Sequence, residues 1–330
     1  MFKKFSKNDI TSETMLLYEN LIIYSNSFDD NHTRKYNNEN YYHASNSLGY
    51  FGYYQTIYDN IPSIVDSHAL CDVAYGISTA SNLYASTTVQ QTEKNNVYKI
   101  FASMLLGSPN ERFQWGPHYA DELFFITFKR DTYKNKICYQ KSALWISSSY
   151  DNVTTTASDF CSTNLYKSEC VGNYGALYSC SVGYVFAICY YDVGVMILPT
   201  ASLMVGSGPA GVFSGSYTLL DILTGSSIDS AVDGMRNHLL YVNINPVTER
   251  RITTYKCSLP DREYNYSSNP TYVNNDGLIK VVSGSEYGPC VYVTGIAILD
   301  DEDNILMTAK TKPMYKDLNT SLVISVKSEH

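Results

Sequence analysis

The sequence predicts an α+β fold dominated by antiparallel strands, with a few short helices and a compact β-module at its C-terminal end. Three observations point there. Strand-length runs such as LFFITFKR, VGYVFAICYY, VMILP and GIAIL recur along the chain, bounded by Gly, Asn, Asp or Pro. Tyrosine supplies 31 of the 330 residues, and its ring suits the pleated, half-buried surface of a sheet. Helical periodicity is clear over one segment only, so strands must carry most of the core. The length suffices for a large core and divides into a β-rich assembly region over 1–249, with a helix near 95–106, and a C-terminal β-module over 250–330.

The N-terminal third is polar and tyrosine-dense. From Tyr36 to Tyr58 the stretch KYNNENYYHASNSLGYFGYYQTIYDN packs seven tyrosines and a phenylalanine among Asn, Ser and Gly. Flat rings stack on sugars and anchor protein interfaces, while tyrosine also packs well between strands. Tyr41, Tyr42, Tyr50, Phe51, Tyr53 and Tyr54 are therefore candidate interface residues, together with Tyr264 and Tyr266 further on.

In NNVYKIFASMLLGSPN the residues Val97, Ile100, Phe101, Met104 and Leu105 follow a helical stripe expected to pack on the core, and Gly107 and Pro109 supply the stop. Further helical pieces are expected around Ser216–Leu223 and over Ser227–Leu240, despite Gly234. LFFITFKR and ICYQKSALWISSS read as neighbouring strands joined through Asp131–Lys136. VGYVFAICYY and VMILP flank Asp192–Gly194 as a hairpin, and the Ser-, Thr- and Asn-rich Ser148–Gly175 reads as a long loop.

Four consecutive acids and an asparagine, Asp300–Asn304, stand between the strand-length runs Gly295–Leu299 and Ile305–Lys310. A calcium loop alternates its acids around a central Gly and ends in a distant Glu, and none of this is present. The acids read as a hairpin turn, with Ile296, Ile298, Ile305 and Met307 on one side facing a core or an interface.

Other chemistry fails on context. The net charge of −8 gives no pull toward phosphate, so no nucleic-acid partner is expected. No apolar run approaches the roughly 18 residues of a membrane span, and no apolar segment follows the lysines of MFKKFSKNDITSE, which places folding in the cytosol. Cys161, Cys170, Cys180 and Cys189 stand nine or ten residues apart, unlike zinc ligands, so free thiols are expected at the eight cysteines. GSGPAG (Gly206–Gly211) matches the dinucleotide fingerprint in letters, but VFSGSY rather than a helix pattern follows it. His118, near Asp121 and Glu122, is the one histidine singled out for a test, in a setting more often structural. With no triad, P-loop or carboxylate pair to defend, the chain reads as a binding or assembly protein, not an enzyme, with no cofactor or metal.

YKCSLPDREYNYSSNPTYVNNDGLI, followed by VYVTGIAILDDEDNILMTAKTKPMYKD, resembles a module of virion structural proteins from large contractile-tailed bacteriophages. That family sets an E/F-N-Y-S-x-N-P-T segment before a glycine, then an aliphatic strand, an acidic-Asn turn and a strand ending in Lys and Pro. Here these are Glu263–Thr271, Gly277, Gly295–Leu299, Asp300–Asn304 and Ile305–Pro313. AYGISTAS, YKIFASMLLGSP, DELFFITFKRDTYKNKI and YYDVGVMILPTASL extend the likeness upstream, whereas the Ser148–Gly175 segment and the cysteine content depart from it. The resemblance implies a structural tail subunit, as a wedge-type baseplate component or, alternatively, a tail-fibre adaptor or receptor- or glycan-binding tail protein. It implies homo- or hetero-oligomeric contact with other tail and baseplate proteins, and residence in the phage tail after assembly in the host cytoplasm.

Overall fold

Patterned β-branched and aromatic runs become antiparallel strands through much of the chain, with 51% of the described residues in strands and 16% in helix. The computed structural model describes residues 5–24, 28–36, 54–87, 89–115, 118–147, 154–160, 162–179, 185–200, 228–267, 269, 271–285 and 288–329. Two compact units emerge, one of Leu17–Thr248 and one that joins Met1–Leu16 to Glu249–His330.

The larger unit is organised by a twelve-stranded sheet. From one edge its strands run Leu21–Tyr24, Leu239–Ile244, Ala143–Ser147, Thr154–Ser158, Gly172–Ser179 and Val185–Tyr190. They continue through Val195–Pro199, Glu122–Phe128, Ala69–Ile77 and Tyr54–Tyr58 to Thr33–Tyr36, and Leu165–Ser168 pairs onto Gly172–Ser179. The middle strands are nearly all apolar because both faces are covered: Leu123–Ile126 and Val195–Leu198 are fully buried. Phe101 stacks on Phe125 at 4.0 Å between centroids, and Tyr98 meets Phe113 edge to face at 5.4 Å.

The helix Val89–Leu106 lies against Ala69–Ile77, and Gly76 permits the approach: a Cβ there would stand 2.7 Å from the Tyr98 amide nitrogen. The expected apolar stripe is only half right. Val97 and Leu105 are buried, but Ile100 and Met104 are exposed. The helix also starts earlier than its apolar pattern, because the inward face of its first half is polar. Gln91 Oε1 accepts from the Ala85 amide at 2.7 Å and Asn95 Nδ2 donates to the Ile77 carbonyl at 2.9 Å. Further along, the Tyr98 hydroxyl donates to the Ala120 carbonyl at 2.9 Å. Specific hydrogen bonds thus seat groups that a hydrophobicity pattern assigns to solvent.

Two other expectations are corrected. Glu122–Phe128 pairs with Ala69–Ile77 and Val195–Pro199, not with Ala143–Ser147. The connection between them coils into the helical turn Arg130–Tyr133, reverses at Lys134 with φ 62°, and sends Lys136–Ile137 to pair with Pro246–Val247. The Ser148–Gly175 segment is no loop: it supplies Thr154–Ser158, Leu165–Ser168 and the start of Gly172–Ser179. Its threonines and tyrosines are good strand formers whose polar ends obscured the alternation. The hairpin of Val185–Tyr190 with Val195–Pro199 forms as expected. It turns through Gly194, where φ is +66° and the Tyr133 ring leaves no room for a Cβ. Ser227–Leu240 becomes the helix Ile228–His238, while Ser216–Leu223 and the GSGPAG segment lie outside the described residues.

The smaller unit holds two thin sheets. In one, Pro246–Leu259 runs between Ile10–Tyr18 and Leu322–Glu329, with Ser12 Oγ 3.3 Å from Thr253 Oγ1. In the other, Gly288–Leu299 pairs with Val282–Ser285 and Ile305–Lys316. Among its described residues from Glu249 onward, the buried apolar side chains are Ile298 and Ile324. Polar bonds do the organising. Lys316 is fully buried, its Nζ donating to Asn265 Oδ1 at 3.1 Å and to the Thr320 carbonyl at 2.9 Å. Asp317 closes the next turn by accepting from Thr320 Oγ1 at 2.6 Å and the Asn319 amide at 2.9 Å. Lys316 thereby pins the N-Y-S-S-N-P segment to the end of the long hairpin.

Candidate assembly surface

The acidic turn is a turn. Asp300 folds its carboxylate back over the loop and accepts from the Glu302 and Asn304 amides at 2.9 and 2.8 Å and from Asn304 Nδ2 at 2.9 Å. Asp303 adopts φ 62°, a left-handed conformation that Asp tolerates. The donors around Asp300 hold its carboxyl below the usual carboxylate range, the Asn304 side chain first among them. This leaves Asp301 and Asp303 exposed beside Ile305 and Leu306, which are 66% and 65% exposed. Of the residues expected on one covered side, Ile298 is buried and Ile296 and Met307 are half-buried. Ile305 is a correction within the chain: a register shift between Ile298 and Leu299 sets it opposite Leu299 at the tip, beyond the packed part of the sheet.

At the other end of this hairpin a groove of about 200 Å³ opens among Tyr266, Ser267, Tyr272, Lys280, Cys290 and Tyr292. Local turn chemistry builds one wall. Asn269 Oδ1 accepts from the Thr271 amide and hydroxyl at 3.0 and 2.7 Å, and its carbonyl accepts from the Tyr272 amide at 3.0 Å, so the chain doubles back and presents both tyrosines. Strand pairing builds the other: Tyr292 stands opposite Tyr315, with ring centroids 5.6 Å apart and nearly perpendicular. The Lys280 ammonium lies 5.4 Å from the centroid of Tyr272. Tyr266 is 43% and Tyr292 60% exposed.

The interface candidates of the sequence are thus divided. Tyr266 lines the groove, and Tyr264 is half-buried beside it in the chain with φ 56°. Tyr54 is half-buried against the core of the larger unit. Tyr41, Tyr42, Tyr50, Phe51 and Tyr53 lie outside the described residues. Tyr272, Lys280 and Tyr292 were missed. The signal available was tyrosine recurring in YNYSSNPTY and VYVTG around turn residues.

Elsewhere several polar groups hold the fold. Buried Asp159 accepts from the Ser142 amide at 2.7 Å and the Tyr191 hydroxyl at 2.8 Å; burial raises its pKa and pushes the Tyr191 phenol up as well. Asp121 pairs with Arg112, and Glu122 Oε2 accepts from Thr200 Oγ1 at 3.2 Å. His118 stands in the short strand His118–Ala120, its side chain outside the described part. Cys71, Cys138, Cys170, Cys189, Cys257 and Cys290 are free thiols, whereas Cys161 and Cys180 lie outside the described residues. Among the described residues no three His, Cys, Asp or Glu side chains gather as a metal site would require, and no described helix is long and apolar enough to cross a membrane. No protein-family model, no curated protein and no solved structure matches this chain.

Proposed function

We propose that this chain is a structural rather than catalytic subunit of a bacteriophage virion, a wedge-type component of the tail baseplate, whose smaller unit is its assembly surface. One observation carries the assembly reading. A unit with two buried apolar side chains among its described residues from Glu249 on leaves Tyr266, Tyr272, Leu278, Ile279, Tyr292, Ile305, Leu306 and Val323 exposed. Exposed apolar side chains around so small a core suit surfaces that a partner covers. Virion subunits bind through permanent contacts, which favour aromatic and apolar residues and few charges. The location in a tail rests on the resemblance of Glu263–Pro313 to the phage module.

Cryo-EM localisation or specific labelling in purified virions tests the assignment, with density expected at the baseplate. Location in the capsid shell, or absence from mature particles, overturns it. Cys290 adds a chemical probe because its thiol lines the groove. Its alkylation is expected to be fast in the isolated chain and suppressed in particles. Glycan-array binding by the isolated protein would instead favour the receptor-binding reading, in which the same tyrosines stack on sugar rings.

A further inference from the structure

The tip of the long hairpin and the groove at its base match each other in charge and in apolar content. The groove offers tyrosine walls around one ammonium, Lys280. The tip offers the carboxylates of Asp301, Glu302 and Asp303 next to the exposed Ile305 and Leu306. Eight residue steps along the strand separate Tyr292 from Asp300, about 26 Å at roughly 3.3 Å per step, so the hairpin holds its own tip away from its own groove.

We propose that the tip Asp300–Leu306 of one copy docks in the Tyr266–Tyr272–Lys280–Tyr292 groove of a second copy, head to tail. This deepens the assembly reading above and rests on it. Ile305 or Leu306 enters between the tyrosines, and the tip acids meet Lys280 at the rim. A second copy is the fitting occupant because the chain itself carries both halves and the described residues of the smaller unit leave both exposed. Since the two surfaces differ, the contact is heterologous, and repetition closes it into a ring or extends it as a filament. The acids fix polarity and register, and the aromatic walls supply the affinity.

Sedimentation velocity of the full chain over a concentration series tests this. The wild type is expected to associate reversibly. A groove variant, Lys280→Glu with Tyr292→Ser, and a tip variant, Asp301→Asn with Glu302→Gln and Ile305→Ser, are each expected to raise Kd on the order of a hundredfold. Mixed at equal concentration, the two variants are expected to form a discrete pair and nothing larger, because one retains a tip and the other a groove. All five positions are exposed, and matching circular dichroism confirms folding of each variant. As a second measurement, Asp301→Cys treated with a thiol oxidant is expected to give an intermolecular disulfide to Cys290. A monomeric wild type, variants that associate like it, a mixture that stays unpaired, or absence of that disulfide overturns the proposal. A monomeric wild type whose Cys290 is nevertheless protected in virions would sink this proposal alone and leave the assembly reading standing, with a different protein in the groove.

Discussion

Residues 17–248 and the smaller unit spend the same kinds of side chain in opposite ways. In the larger unit aromatic residues interlock inside a sheet covered on both faces: Phe125 meets the rings of both Phe101 and Phe113, and Tyr75 packs on Phe124 at 4.8 Å. In the smaller unit the tyrosines line a groove or pair at the surface, and a buried lysine does part of the work a hydrophobic core does elsewhere. The difference teaches that the same residue types can fill a large core in one unit and, in the other, surround a core of two buried apolar side chains among its described residues from Glu249 on.

The largest expected effect tests the finished unit. Phe125→Ala removes a ring that is fully buried and stacked on Phe101, and is expected to cost about 3–5 kcal/mol in chemical denaturation. A cost under 1 kcal/mol would show that the sheet is less tightly filled than the contrast requires. Next comes Lys316→Ala, which removes the donor held by Asn265 and Thr320 and leaves a hole; about 2–3 kcal/mol is expected, confined to the smaller unit. Hydrogen exchange read by mass spectrometry separates the units, and equal loosening of both would contradict their independence.

A pH series sharpens the contrast further, through two buried groups on the helix Val89–Leu106. Burial raises Glu93 from its ordinary 4.5 to about 7, so the folded state retains a proton that the unfolded chain releases. Stability from this group is complete below about 4.5 and lost as pH rises to about 7. Burial lowers Lys94 from 10.5 to about 8, so stability is regained as pH rises from about 8 to 10.5, where the unfolded chain sheds its proton. The larger unit should therefore show a stability trough between pH 7 and 8, about 2 kcal/mol deep. Glu93→Gln is expected to flatten the acidic arm in thermal melts, and an unchanged profile would refute the assignment. The smallest effect belongs to Ile305→Ser, expected within about 0.5 kcal/mol of wild type as an isolated chain, because Ile305 is 66% exposed among the described residues.

Legibility in the sequence follows the same division. Turn chemistry was readable where successive residues specify the backbone by themselves: Asp300–Asn304 form the hairpin tip, and Gly107, with φ 91°, ends the first long helix. The polar first half of that helix was not, because Gln91, Glu93, Lys94 and Asn95 mimic a solvated face until partners from other elements cover them. Nor was the pairing of Glu122–Phe128 with Ala69–Ile77, since a continuous apolar strand fits any buried position and only the tertiary arrangement selects its neighbours. The groove was half legible. Tyr266 stood out in its tyrosine-rich segment, whereas Tyr272, Lys280 and Tyr292 converge only after the Asn269 turn and the Tyr292–Tyr315 pairing bring distant stretches together.

The strand Ile10–Tyr18 carries a consequence for the order of events during synthesis. Its partner Pro246–Leu259 emerges from the ribosome more than two hundred residues after it. At about 5–20 residues per second that interval lasts roughly 10–50 s, long enough for the intervening sheet to form first. Leu322–Glu329, which completes the same small sheet, emerges later still. Translation thus acts as a timer: the small sheet is completed only after the strands of the larger unit have been made.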